Sequence, residues 1–252
     1  MIKKEVKLAG KVALVTGGSR GIGKAIAKEF AANGASVAIS GTNRRNLDEV
    51  EKEIGLFTIQ ADMRKESEVQ NLICKTVEKF GHLDILVNNA GVFPKIKLLH
   101  EISDSEWRDV LDVNLTGPFY ATKYSIPYLQ KNGGVIINIA SSAGLKAYEN
   151  FNADAYSASK AALVVLTKCW ALEYAKSKIR VNCICPGVVE TDMTVEFLSS
   201  PAMRDMMNFA YPIGRFGTVE DVAKAALYFA SEHDSSWVTG AVLPLDGGES
   251  LK

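Results

Sequence analysis

The stretch Lys11-Val12-Ala13-Leu14-Val15-Thr16-Gly17-Gly18-Ser19-Arg20-Gly21-Ile22-Gly23 decides the architecture. Its first half is a short apolar, β-branched run, the mark of a strand buried on both faces. Its second half is a glycine-rich turn. A helical pattern follows from Lys24 to Asn33, and Gly34 stands where a helix commonly ends. Strand, turn and helix together place backbone N–H groups at a helix N-terminus, where the dipole favours a pyrophosphate. Glycines at 17, 21 and 23 suit that task, because a side chain would hold the phosphates off the backbone. A glycine trio alone is often a plain turn, and its place between strand and helix is what gives it weight.

Working outward, residues 35–40 read as a second strand that runs into Gly41-Thr42-Asn43-Arg44-Arg45. In a fold of this kind an acid at the end of that strand binds the ribose 2′-hydroxyl of NAD, whereas basic residues suit the 2′-phosphate of NADP. No acid occurs from Ser36 through Leu47, and Arg20, Arg44 and Arg45 are candidates for the phosphate. The sequence therefore favours NADP(H), with NAD(H) possible. Arg44 and Arg45 are equally what the solvated first turn of the next helix would contain.

Residues 56–62, 83–87, 134–140, 179–185 and 238–245 read as five further strands, separated by helical patterns. The patterns at 65–80, 104–115 and 219–229 are the clearest, and Ser103 and Glu106 have capping-box spacing. Asn114 interrupts an apolar face, and Pro118 predicts a kink nearby. Asn88-Asn89-Ala90-Gly91 after the fourth strand suggests tight backbone close to a cofactor. Such alternation, with no linker and no fixed repeat, predicts one doubly wound α/β domain over residues 1–252. Residues 194–217 contain Pro201, Pro212, Gly214, Gly217 and three methionines, and read as a mobile lid over a substrate.

Chemistry is suggested between Ser141 and Lys160. Tyr156 and Lys160 are four apart in a helical segment, so their side chains leave on one face. A cation about 4 Å from a phenol at an effective dielectric of about 20 favours the phenolate by about 4 kcal/mol, or about three pKa units. Ser141 follows an apolar strand and could donate to a carbonyl oxygen beside the tyrosine. Taken alone, a Tyr and Lys at this spacing is a common surface arrangement, and a Ser pair after a strand is usually turn chemistry.

Composition narrows the function classes. Lysine plus arginine equals aspartate plus glutamate at 29 each in 252 residues, with no basic run, so nucleic acid and anionic membrane are poor partners. No signal peptide and no apolar run of spanning length is seen, which reads as a cytoplasmic protein. Of four cysteines, Cys183 and Cys185 share a strand face. With three histidines, none at ligand spacing, they read as small buried apolar groups, and neither metal nor disulfide is expected.

In order along the chain, Thr16-Gly17-x-x-x-Gly21-x-Gly23, Asp62, Asn88-Asn89-Ala90-Gly91, Asn114, Ser141, Tyr156-x-x-x-Lys160 and Pro186-Gly187 resemble the short-chain dehydrogenases/reductases over nearly the whole length. The resemblance implies a Rossmann-type fold with a parallel seven-stranded sheet, helices on both faces and NAD(P) across the strand ends. It implies Tyr156 as acid and base, Lys160 binding the ribose and lowering the phenol's pKa, Ser141 holding the carbonyl, and Asn114 ordering a water that relays protons. Gly17, Ser19, Arg20, Gly21, Ile22 and Gly23 would line the cofactor. So would Thr42, Arg44, Asp62, Met63, Asn89, Ala90 and Gly91, together with Tyr156, Lys160, Pro186, Gly187, Val189 and Thr191.

Within the family, Glu190-Thr191-Asp192-Met193, Gly214-Arg215-x-Gly217 and Asp246-Gly247-Gly248 are most similar to bacterial 3-oxoacyl-[acyl-carrier-protein] reductases, which implies a role in fatty acid biosynthesis. The basic residues those enzymes offer to the acidic carrier align with Asn132 and Ser177, with Lys131, Lys176 and Lys178 as neighbours. Sugar, gluconate and other secondary-alcohol dehydrogenases are similar alternatives, and a non-catalytic NADP-binding sensor is an alternative of another class. The resemblance also suggests a homotetramer built on the helices near Asp104 and Tyr156, with Leu163, Leu166 and Trp170 either on the shared face or in the core. Substrate-facing residues are expected in 93–99, 145–154 and 194–211.

Overall fold

The strand from Val12 to Val15 (β1) is fully buried, and its alternate side chains enter two different cores. Ala13 and Val15 pack with Ile26 and Phe30 of α1 (Gly21–Ala32) and with Ala223 and Ala226 of α7 (Val219–Ala230). Val12 and Leu14 pack on the other side with Leu72 and Ile73 of α3 (Glu66–Phe80), Ala121 of α5 (Gly117–Leu129) and Leu163 of α6 (Asp154–Tyr174). A strand with apolar cover on both faces needs an apolar side chain at every position, which is why the sequence shows no alternation there.

The computed structural model describes residues 6–191, 194–195, 200 and 209–252. Seven parallel strands form one sheet in the order β3-β2-β1-β4-β5-β6-β7. The others are β2 (Ser36–Gly41), β3 (Phe57–Gln60), β4 (Ile85–Asn88), β5 (Gly134–Ile139), β6 (Ile179–Pro186) and β7 (Val242–Leu245). Consecutive strands run outward from β1 through β3, and the chain then returns to place β4 on the other side of β1. That reversal opens a crevice beyond the carboxyl ends of β1 and β4, where open α/β sheets hold their ligands. β7 is four residues long, and residues 238–241 expected in it lie outside the strand.

The long helix expected after Ser103 is divided. Ser103 caps α4 (Asp104–Leu111) in the predicted capping box, and a single π-helical turn at Asp112–Thr116 then leads into α5. The discontinuity ends two residues before Pro118, near which a kink was expected. Pro118 occupies the first turn of α5, directly after the π-helical turn.

A buried polar chain ties the helix carrying Tyr156 to the middle of the sheet. Asn88 Nδ2 donates to Asn138 Oδ1 at 2.9 Å, Asn138 Nδ2 donates to Thr167 Oγ1 at 2.8 Å, and Thr167 Oγ1 donates to the Leu163 carbonyl at 2.9 Å. Asn88, expected near a cofactor, is therefore a core residue. Cys183 and Cys185 are free thiols, buried beside Ala140 and Val164 with their sulfurs 3.8 Å apart. Leu163 and Trp170 are likewise core, while Val165 and Leu172 face outward on α6 at 58% and 83% exposure.

Replacing Asn138 by Ala leaves Thr167 without its donor and removes the Asn88 acceptor. An equilibrium urea titration should show a loss of about 1–3 kcal/mol. An unchanged midpoint would mean that this chain does not hold α6 to the sheet.

Candidate active site

The glycine turn leaves the start of α1 bare of side chains. Arg20 precedes the helix in extended conformation and gives no side-chain cap, and the first turn contains no acid. The N–H groups there are the unpaired donors that an anion can use. Space around the turn is tightly defined. A Cβ on Gly23 would lie 2.3 Å from the Gly17 carbonyl oxygen, and one on Gly17, at φ +65°, would lie 2.8 Å from the Ala90 Cα. Asn89 locks this contact by donating to the carbonyls of Thr16 (2.8 Å) and Gly17 (3.1 Å), while Thr16 Oγ1 accepts from the N–H groups of Asn89 and Ala90.

A cavity of about 940 Å³ runs from Thr42 and Asp62, past this turn, to Tyr156 and Lys160. Its length over the glycine turn, the absence of a Cβ at the close approach and the uncapped helix start fit a dinucleotide. Every catalytic or cofactor candidate named from the sequence lines it except Arg44, Arg45 and Asn114.

Arg44 lies in the first turn of α2 (Arg44–Ile54), where its guanidinium is committed to Asp48, Glu51 and Thr58. Arg45 pairs with Glu49 on the same helix. Arg20 stays exposed at the cavity rim and makes no ion pair with any described residue. Arg64, which no sequence motif singled out, also lines the cavity and forks onto Asp62 and Asp109. That pairing holds the Asp62 carboxyl below its ordinary range.

Asn114 sits in the π-helical turn, fully buried, and its amide is consumed internally. Oδ1 accepts from Val92 N at 2.8 Å, and Nδ2 donates to the Val92 carbonyl (3.0 Å) and to Ser159 Oγ (3.3 Å). Its side chain thus joins the segment after β4 to α6.

Tyr156, Lys160 and Ser141 come together at the inner end. Lys160, 4% exposed, donates from Nζ to the Ile139 carbonyl at 2.9 Å, with Nζ 5.7 Å from the centre of the Tyr156 ring. Burial dominates the titration of both groups. It pushes Lys160 down to about 8, and it pushes the Tyr156 phenol above its ordinary value, opposed by the polar Ser141 side chain. The expected three-unit acidification of the phenol is therefore not found in the free chain. The ammonium donates to a carbonyl, and desolvation is the largest influence on the phenol.

The loops opposite Tyr156 are aromatic. Phe93 meets Tyr156 edge-on with ring centres 5.0 Å apart, and Phe151 and Tyr148 extend the same wall. The expected lid falls largely on residues 196–199 and 201–208, outside the described residues. At its described end Tyr211 lines the cavity, and its hydroxyl oxygen accepts from the Val188 N–H at 2.9 Å.

A family model described as enoyl-(acyl carrier protein) reductase matches residues 17–250. The chain belongs to the short-chain dehydrogenase/reductase family. It is 40% identical to the 3-oxoacyl-[acyl-carrier-protein] reductase FabG of Thermotoga maritima, covering 96% of this chain and 99% of that one. It is 38% identical to the L-fucose dehydrogenase of Mus musculus, covering 97% of this chain and 90% of that one. The crystal structure of gox2181 superposes with a TM-score of 0.94 at 29% identity and 98% coverage of both chains. As a family member the chain is an oxidoreductase that acts between alcohol and carbonyl groups with a nicotinamide cofactor. Among the described residues no helix is long and apolar enough to cross a membrane.

Lysine burial gives a signed pH effect. Lys160 falls from 10.5 to about 8 on folding, so between those values the unfolded chain holds a proton that the folded chain has released. Stability of the cofactor-free protein should therefore rise by about 3 kcal/mol over that window. Thermal melts of wild type and Lys160→Met against pH check it, and the increment should be missing in the variant. Parallel profiles would contradict the assignment.

Proposed function

We propose that this chain interconverts a ketone and a secondary alcohol with NADP(H), using Tyr156 as acid and base. One observation carries the reading: a phenol raised above its ordinary value by burial, with Ser141 and Lys160 lining the same inner end of the cavity that crosses the glycine turn. The nicotinamide, when bound, supplies or accepts the hydride. Ser141 holds the carbonyl oxygen, and Tyr156 gives that oxygen a proton as it becomes an alkoxide. The neutral phenol is the form that donates the proton in reduction, and the phenolate is the form that accepts it in oxidation. Lys160 stands behind the phenol with a proton it releases readily, able to reload it. Asn114 positions α6 and the Val92 backbone.

Gly17, Ser19, Gly21, Ile22 and Gly23 would cradle the pyrophosphate. Asp62, Met63, Ala90 and Gly91 would line the groove on one side, and Pro186, Gly187, Val189 and Thr191 on the other. NADP(H) over NAD(H) is supported by Arg20, which has no ion-pair partner among the described residues, and by the lack of an acid after β2, where Thr42 lines the rim. Arg44 lends no support, being paired with acids of its own helix.

A small substrate is favoured over an acyl chain on a carrier. Glu149 and Glu249 line the cavity, and Asn132 and Ser177 stand where carrier-binding bases are expected, so an acidic carrier meets little complementary charge. The 3-oxoacyl-carrier reductase reading is the second one, carried by the 40% identity to the Thermotoga maritima enzyme. Assembly as a homotetramer is supported by apolar side chains exposed on α5 and α6, among them Phe119 at 45%.

Tyr156→Phe should cut kcat by about 10²–10⁴-fold while NADPH binding, followed by its fluorescence, persists. Wild-type turnover in that variant would overturn the assignment. Arg20→Ala should raise KM for NADP⁺ by about ten- to a hundred-fold and leave KM for NAD⁺ nearly unchanged. Equal shifts for both would place the 2′-phosphate elsewhere.

A further inference from the structure

Beyond the catalytic groups, one carboxylate is built into the cavity wall with no ion-pair partner among the described residues, the nearby Lys146 ammonium lying over the Tyr148 ring at 4.8 Å and donating to a backbone carbonyl instead. Glu249 lies in the short helical turn Glu249–Leu251 that follows Gly247 and Gly248. The turn is fixed from both sides. Asp246 accepts from the N–H groups of Gly248 and Ser250, each at 3.0 Å, and Lys146 Nζ donates to the Glu249 carbonyl at 3.1 Å. The carboxylate itself takes a hydrogen bond on Oε2 from the Tyr148 hydroxyl. No described residue donates to Oε1, and no described Lys, Arg or His forms an ion pair with it.

Tyr148 is the far end of the aromatic wall that begins at the catalytic phenol. The rings follow as Tyr156, Phe93, Phe151 and Tyr148, with successive centres 5.0, 5.7 and 5.9 Å apart. The wall is thus apolar along its length and ends in an anchored acceptor. An ionised carboxyl has about four lone-pair positions and no donor. Tyr148 uses one, and Glu249 lines the cavity with no described donor on Oε1. Such an acceptor is matched by a ligand that brings a donor to it. An acyl tail, a carboxylate or a phosphate supplies none, and the last two would also be repelled.

We propose that Tyr148 and Glu249 form a hydroxyl-binding subsite, and that the substrate is a neutral polyhydroxylated compound of the sugar or polyol class. Its apolar C–H face lies along Phe93 and Phe151, and a hydroxyl remote from the reacting carbon donates to Glu249. This rests on the reading that the reacting carbon sits at Tyr156. Because Tyr148 and Glu249 are 101 residues apart, the subsite exists only once the end of the chain has folded over the cavity.

The test uses the full chain with NADP⁺ and NAD⁺. A panel of neutral sugars and polyols is compared with simple secondary alcohols and deoxy analogues that keep the reacting hydroxyl and lack the others. Wild type should prefer the polyhydroxylated compounds in kcat/KM. In Glu249→Gln and Tyr148→Phe that preference ratio should fall by about tenfold or more, through KM and not kcat. NADPH fluorescence and melting temperature confirm that each variant is folded. A wild type that turns over simple alcohols as well as polyols, or no polyol at all, overturns the proposal, as does a preference ratio unchanged in both variants. Tyr156→Phe keeps the two readings apart. If it abolishes turnover of simple alcohols while no hydroxyl preference exists, only the subsite fails. If it remains active, the underlying reaction assignment fails.

Discussion

Holding an ammonium out of water is the demand around which the site is organised. Lys160 has one described hydrogen-bond partner, the carbonyl that ends β5, so α6 must stay pressed against the sheet for that contact to survive. The Asn88-Asn138-Thr167 chain supplies this from below. From above, the turn after Ser141 lies directly on the helix backbone, where a Cβ on Gly144 would come within 2.7 Å of the Lys160 carbonyl carbon. Asn114 adds a third tie through Ser159. Each is a polar group placed inside apolar surroundings, and each is justified by what it positions.

The same dehydration decides how the proton is stored. Side by side in water, the cation would favour the phenolate by only about 1 kcal/mol, under about one pKa unit. In the folded chain burial penalises both charged forms, so the phenol is held high and the lysine low, and the pair sits closer to neutrality than the sequence spacing suggests. A neutral phenol is a proton donor at rest. The chemistry of the site follows from solvent exclusion first and from the Tyr/Lys spacing second.

Much of the fold was legible because its decisive elements are local. Strands covered on both faces show as uninterrupted apolar runs, and the Ser103/Glu106 box announced α4. The π-helical turn at Asp112–Thr116 lies beside Pro118, near which a kink was expected, but its type was not legible from one proline. Arg44 was assigned to a phosphate because the acids that claim it, Asp48 and Glu51, are one and two turns onward in the same helix. Leu163 and Trp170 could be core or interface by periodicity alone, and only the packing of α6 on β5 and β6 separates the two. Tyr148 and Glu249 belong to no motif. Their partnership is tertiary, and the only trace of it was that residues 145–154 were expected to face a substrate.

A direct measurement of the Tyr156 phenol decides between burial and cation as the controlling influence. An ultraviolet difference titration of cofactor-free wild type against Tyr156→Phe isolates its ionisation from the other tyrosines. Control by burial predicts that this phenolate forms only above the ordinary tyrosine value of 10.0. A phenolate forming well below that value would show that Lys160 already governs the proton in the free chain, and would contradict solvent exclusion as the force that sets the site's chemistry.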